Sequence, residues 1–220
     1  RHHSRPRRAM SDPAITFCGD DALRLSAPDR DERFARASQL RATGDWVEVV
    51  PGRRDVTVQF DPLRHTPDEA LARLCHTLST PAPPPSHTLE TVELPVHFGG
   101  KNGPDLADIS HRIGLSETEV MSRLLSAPLR VDMLGFTPGF AYMSGLDAEL
   151  EIPRLLQPRQ QVPAGSIGLI TGQCGLYALA GPAGWPIIGR TSVSLFDAAA
   201  DNPFRLQPGM QVRLVDADAS

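Results

Sequence analysis

From Gly165 to Leu195 the chain reads GSIGLITGQCGLYALAGPAGWPIIGRTSVSL. Ser166–Ile170, Leu176–Leu179 and Thr191–Leu195 are apolar or alternating runs of four or five residues in a stretch punctuated by Gly and Pro. Runs that short, rich in β-branched and aromatic side chains and flanked by turn residues, predict strands rather than helices. Thr91–Leu94 before this stretch and Met210–Val215 after it extend the pattern. Short strands at such spacing predict a closed or sandwiched all-β body.

Working outward, residues 104–125 interrupt the strands with a helical insert. Leu106–Leu124 superficially has the pattern of a helix-turn-helix, with Gly114 in the turn and Ser116 and Glu119 forming a capping box for the second helix. That helix begins with Glu117 and Glu119 and carries only Arg123 as a cation, which is wrong for phosphates and base edges. Nucleic-acid binding is therefore not expected. Asp105, Asp108 and His111 recur every three residues but have no partner cluster, and no dedicated metal site is expected.

Before residue 90 the composition changes: three of the eighteen glycines lie there, and fifteen follow. Asp29–Arg41 reads as a helix with Phe34, Ala37 and Leu40 on one face. Trp46–Val50 and Val56–Phe60 read as strands around a Pro51-Gly52 turn. Thr66-Pro67-Asp68-Glu69 is a capping box opening a helix that carries Leu71, Leu74, Cys75 and Leu78 inward. This predicts a small α/β domain over 14–80 with two helices on one face of a small sheet. Residues 81–87 then form a Pro-rich linker, and 88–220 form the β body. Residues 1–13 are expected to be a disordered basic leader holding Arg1, Arg5, Arg7 and Arg8.

The 220 residues have 40% hydrophobic side chains, enough for a substantial core, and a net charge of −4. Cys18, Cys75 and Cys174 are far apart with no C-x-x-C, which argues against a disulfide framework or zinc site. With no long apolar span and no visible signal peptide, a cytoplasmic protein with no membrane partner is expected. Of the 22 basic residues only Lys101 is a lysine. A Walker A loop fails, because Asn102 follows Gly100-Lys101 and Pro95 stands where its first glycine belongs. Schiff-base and Ser–Lys amidase chemistry are confined to that one residue, and no G-x-S-x-G elbow exists.

From Leu134 to Asp197 the motifs Gly135-Phe136-x-Pro138-Gly139-Phe140-x-Tyr142, Gly145-Leu146-Asp147, Pro153-Arg154, Pro158-Arg159, Val162-Pro-Ala-Gly-Ser166 and Ile188-Gly-Arg-Thr191 follow in order. Pro95–Gly100 and Gly103–Leu106 precede them. Together they resemble the family of 5-oxoprolinase B subunits, a family also labelled allophanate hydrolase subunit 1 or sporulation kinase A inhibitor, over about residues 15–216. The chain departs from that family's pattern at Leu125 before Ser126-Ala127-Pro128, where a His is usual. Asp132 stands in place of a Tyr, Ser144 in place of a Gly, and His97 where Cys or another residue is usual.

The resemblance implies an α+β protein whose small N-terminal α/β domain is followed by a cyclophilin-like β-barrel. It implies the B subunit of an ATP-dependent 5-oxoprolinase, opening 5-oxo-L-proline to L-glutamate with the A and C subunits and inactive alone. ATP with Mg²⁺ would be held by the complex. The alternatives are a non-catalytic module that inhibits a sensor histidine kinase and, third, an allophanate hydrolase subunit. Within this frame His97 and Asp105, flanking the Gly99-Gly100 loop, are candidate proton-handling residues. Arg159, Arg190 and Lys101 are candidate anion ligands. Phe136, Phe140, Tyr142 and Gln173 complete the expected substrate or ATP contacts.

Overall fold

The computed structural model describes residues 14–82, 90–147 and 150–219. The chain divides at residue 87 into two compact units. The expected leader 1–13 and residues 83–87 of the expected linker lie outside the described residues.

The first unit contains β1 (Ile15–Phe17), β2 (Ala22–Ser26), α1 (Arg30–Thr43), β3 (Glu48–Pro51), β4 (Asp55–Gln59) and α2 (Pro67–Leu78). The strands form an antiparallel sheet in the order β1-β2-β4-β3. Alternation along the strands buries Leu23, Val49, Val56 and Val58 against Ala37, Leu40, Ala70 and Leu74 of the helices, giving the unit one core. Ahead of α1, where the sequence reading places no strand, the structure has a hairpin. Its turn uses Gly19 at a φ of 71°. Asp29 caps α1 by accepting from the Glu32 N–H, and Gly44 ends it in the left-handed conformation. The predicted Thr66 capping box is present, but Cys75 is exposed rather than inward: α2 buries Ala70 and Leu74, and Cys75 falls on its solvent side.

The second unit contains β5 (Thr91–Phe98), α3 (Leu106–Ile113), α4 (Glu117–Ser126), β6 (Leu129–Leu134), β7 (Ala141–Ser144), β8 (Arg159–Val162) and β9 (Ser166–Ile170). It continues with β10 (Gln173–Leu176), β11 (Gly181–Ala183), β12 (Ile187–Arg190) and β13 (Gln211–Asp216). A closed barrel runs β10-β7-β6-β13-β5-β12-β9, and β8 and β11 pair beside it as a two-stranded ribbon. Within the barrel β5 and β13 are parallel from Thr91–Gln211 to Val96–Asp216. The remaining pairs are antiparallel. Leu94, Val96, Leu129, Val131, Met143, Leu169, Leu176, Ile188 and Leu214 fill its core.

The helix-turn-helix-like segment is two packed helices, α3 against β12 and α4 against β13. Val120 and Leu124 of α4 enter the barrel core. Two strand expectations need correction. Thr191–Leu195 is not a strand, because the Val193 N–H donates to the Thr191 hydroxyl and Ser194 Oγ donates to the Phe196 carbonyl. Local side-chain bonds of this kind compete with a ladder. The strand expected at Leu176–Leu179 lies at Gln173–Leu176 instead. Among the described residues no helix is long and apolar enough to cross a membrane.

In the α4 capping box Ser116 Oγ accepts from the Glu119 N–H, while the Ser116 N–H and Oγ donate to the Glu119 carboxylate. Those two bonds, from the hydroxyl and then the backbone, hold the Glu119 carboxyl below its ordinary value. A carboxyl lowered on folding stabilises the fold above its unfolded value and loses that contribution as pH falls through its folded value. Ser116→Ala should cost about 1 kcal/mol at neutral pH, the usual worth of a serine cap, read by urea unfolding. The difference between the two proteins should shrink as the pH drops below the glutamate range.

Candidate functional site

The loop between β5 and α3 is held by its backbone and by one carboxylate. The Gly99 N–H donates to the Ile188 carbonyl at 3.1 Å, and the Asp105 N–H donates to the Ile187 carbonyl at 2.9 Å. The Gly99 carbonyl accepts from Asn102 and Gly103, closing the turn. Gly103 is packed so tightly that a Cβ there would sit 2.0 Å from the Ile188 carbonyl oxygen, so no larger residue keeps this loop in place. Asp105 completes the attachment. Arg159 donates to both of its oxygens at 2.7 Å, and the Ile187 N–H donates at 2.6 Å. The bidentate geometry is that of a strong charge-assisted pair. Two candidates from the sequence are thus brought together as a bidentate pair. Asp105 is buried, and neither residue lines the cleft described next.

Beside this loop lies an open cleft of about 480 Å³ lined by His97, Lys101, Asn102, Arg190, Thr191 and Ser192. His97 on β5 and Arg190 on β12 are direct register partners, which puts their side chains on one face of adjacent strands. Arg190 Nε donates to the Ala164 carbonyl at 2.9 Å, which aims the guanidinium and leaves its two terminal nitrogens without a partner among the described residues. Lys101 enters from the anchored loop and is exposed. His97 Nδ1 lies 2.9 and 3.1 Å from the two carboxylate oxygens of Asp218, just beyond β13. The cleft therefore presents two permanent cations, one imidazole and hydroxyl or amide groups. This set can hold a carboxylate or phosphate oxygen and pass a proton.

The other predicted residues stand elsewhere. Phe140 is fully buried, with Tyr142, Tyr177 and Trp185 around it at centroid distances of 4.7, 4.8 and 6.0 Å. Gly175 makes room for it, since a Cβ there would meet both Trp185 and Phe140 below 3.0 Å. Phe136 stacks edge-on to Phe140 at 5.5 Å yet remains 62% exposed. Its φ of 69° is a conformation that a bulky residue rarely adopts. Gln173 is buried on β10 opposite Ile170. None of these lines the cleft. Cys174 is fully enclosed, and burial pushes its thiol up to about 12, which makes it inert at neutral pH.

Sequence reasoning missed Asp218, which has no local motif, and the pairing of two departures from the family pattern. Asp132 sits at the β6 bulge facing β7, buried, and accepts from Ser144 Oγ at 2.9 Å. Residue types that look unrelated along the chain are thus hydrogen-bond partners. Both differ from the usual residue, which was the available signal.

The family model described as carboxyltransferase domain, subdomain C and D, matches residues 8–206. An Escherichia coli protein named as the B subunit of 5-oxoprolinase is 43% identical over 210 residues, 94% of this chain and 93% of its own length. One of the same name from Haemophilus influenzae is 35% identical over 86% of this chain and 88% of its own. The crystal structure of TTHA0988 superposes with a TM-score of 0.77 at 29% identity, covering 90% of this chain. The present chain spans 40% of that longer one. The chain belongs to the carboxyltransferase subdomain C and D family and groups within it with proteins named as 5-oxoprolinase B subunits.

Removing Asp105 would leave Arg159 without its counter-charge and the Ile187 N–H without its acceptor. Asp105→Ala should destabilise the second unit by about 3 kcal/mol or more, as for breaking a largely buried pair. Asp105→Ala combined with Arg159→Met should recover part of that loss. Denaturant unfolding of the two variants checks both, and equal stability of Asp105→Ala and wild type would remove the anchoring role.

Proposed function

We propose that this chain is the B subunit of an ATP-dependent 5-oxoprolinase, opening 5-oxo-L-proline to L-glutamate together with the A and C subunits. The 43% identity to a protein of that name, over nearly the whole of both chains, carries the reading. The cleft supplies the chemistry that this reaction needs from a shared site. Water must add to a lactam carbonyl, an unreactive amide, and the ring nitrogen must leave with a proton. ATP, when bound in the assembled enzyme, supplies the phosphoryl group that activates the lactam oxygen. The residues here fit the anionic part of either ligand. Arg190 offers two open N–H-bearing nitrogens and Lys101 a mobile point charge, and either a substrate carboxylate or a phosphate oxygen satisfies them.

The cleft does not fit Mg²⁺. Among the described residues no three His, Cys, Asp or Glu side chains converge to hold a metal ion, and Asp218 beside the cleft is engaged by His97. We therefore assign the chain anion orientation and proton handling. His97 is the candidate base, Arg190 the orienting cation, and Lys101 an accessory charge.

The test is reconstitution with the A and C subunits and measurement of ATP-dependent glutamate release from 5-oxoproline. Arg190→Ala should raise KM at least tenfold, and His97→Ala should lower kcat at least a hundredfold, consistent with loss of a general base. An inactive assembly of three folded subunits overturns the reading. Inhibition of a sensor kinase's autophosphorylation by the isolated chain would replace it with the regulatory alternative. Full activity of both variants would move the site away from this cleft.

A further inference from the structure

The geometry points to Asp218 as a positioning residue: its carboxylate fixes His97 in the tautomer with the proton on Nδ1, leaving the Nε2 lone pair as the base of the cleft. This inference rests on the reading that the cleft is part of a reaction site, but its central claim concerns the imidazole itself.

The argument starts from the strand order. β13, β5 and β12 are neighbours in the barrel wall. Past the end of the β13–β5 ladder, the Ala217 N–H donates to the Val96 carbonyl at 3.0 Å, so the chain keeps to β5 for one further residue. The Asp218 N–H then donates to Asp216 Oδ1 at 3.0 Å, an Asx turn that bends the backbone and sets the direction of the Asp218 side chain. On the other flank of β5, Arg190 stands opposite His97. His97 on β5 thus has Arg190 of β12 as its register partner on one flank and meets Asp218, from the turn that follows β13, on the other.

An ionised carboxylate only accepts hydrogen bonds. With both Asp218 oxygens within 3.1 Å of Nδ1, that nitrogen must be the one bearing hydrogen. A neutral imidazole has a single N–H, so Nε2 is left as an acceptor. Arg190 and Lys101 can only donate, so neither offers an acceptor that would draw the ring hydrogen to Nε2. Asp218 keeps its hydrogen bond to Nδ1 when Nε2 takes a proton from a water oxygen. Among the described residues no other charged side chain lines the cleft. A free neutral histidine side chain favours the opposite tautomer, with hydrogen on Nε2, so the Nδ1–H form is a property that Asp218 must impose.

The experiment uses the full chain labelled with ¹⁵N-histidine, with the His97 resonances assigned by their loss in His97→Gln. At a pH where the ring is neutral, wild type should show Nδ1 protonated and Nε2 bare. Asp218→Ala should revert to the Nε2–H form, and Asp218→Glu should restore the wild-type pattern at least in part. In the reconstituted enzyme Asp218→Ala should lower kcat about tenfold or more with KM within twofold, because the anion ligands are untouched. Wild-type His97 protonated on Nε2, or a tautomer unchanged in Asp218→Ala, overturns the inference. So does an active assembly whose kcat is insensitive to Asp218→Ala. If no assembly containing wild-type chain is active, the reaction reading falls while the tautomer result still decides whether Asp218 orients His97.

Discussion

The carboxylate of Asp105 holds together the parts on which the cleft depends. It joins the start of α3 to β8 through Arg159 and to β12 through the Ile187 N–H. Together with the backbone bonds from Gly99 and Asp105 to β12, these contacts keep the Gly99–Gly103 turn, and Lys101 on it, beside the cleft. With them the loop lies against β12, and the side chains that the barrel register has already paired, His97 and Arg190, are roofed from one side. The cost of this arrangement is desolvation of a carboxylate, offset by three short donors, two of them from one guanidinium that carries a single positive charge.

The division of labour inside the barrel follows from the same economy of polar groups. Arg159 and Asp105 pair with each other and stand outside the cleft. Arg190 is steered by one backbone carbonyl and keeps the rest of its fork for a ligand. Two arginines of similar sequence surroundings, each beside Gly or Pro, therefore differ in use because one meets a buried acid and the other meets a peptide oxygen. The aromatic residues separate similarly. Phe140 fills space with Tyr177 and Trp185, whereas Phe136 on the same loop is held outward in a strained conformation.

Much of this was legible in the sequence where the determining forces are local. Capping boxes at Thr66 and Ser116, the β body with a helical insert, and the family motifs around the 135–142 and 162–166 loops are all short-range signals, and the structure carries them. The partnerships that shape the cleft are not local. Whether Arg159 binds a ligand or Asp105 depends on contacts 54 residues apart, and the engagement of His97 by Asp218 spans 121. Periodicity carries no information at that range. The strand expected at Thr191–Leu195 failed for a different reason: its alternation is genuine, but hydroxyl groups at Thr191 and Ser194 bond the local backbone and take the place of a neighbouring strand.

The parallel pairing of β5 with β13 also bears on how the molecule acquires its site. Hairpins such as β9–β10 can form as soon as their residues exist, but β13 must find a partner 120 residues earlier, as from Gln211 to Thr91, and β6 on its other edge. Closing so long a loop costs entropy before any contact rewards it, and topologies dominated by such pairings fold slowly. Barrel closure is thus expected to be a late event, and the His97–Asp218 pair forms only with it. Chains caught on the way would expose the unpaired edges of β5 and β6, which are templates for association, while lacking the His97–Asp218 contact. A folding intermediate of this protein would consequently be aggregation-prone, and the last strand to dock would complete the barrel wall and the His97–Asp218 contact in one step.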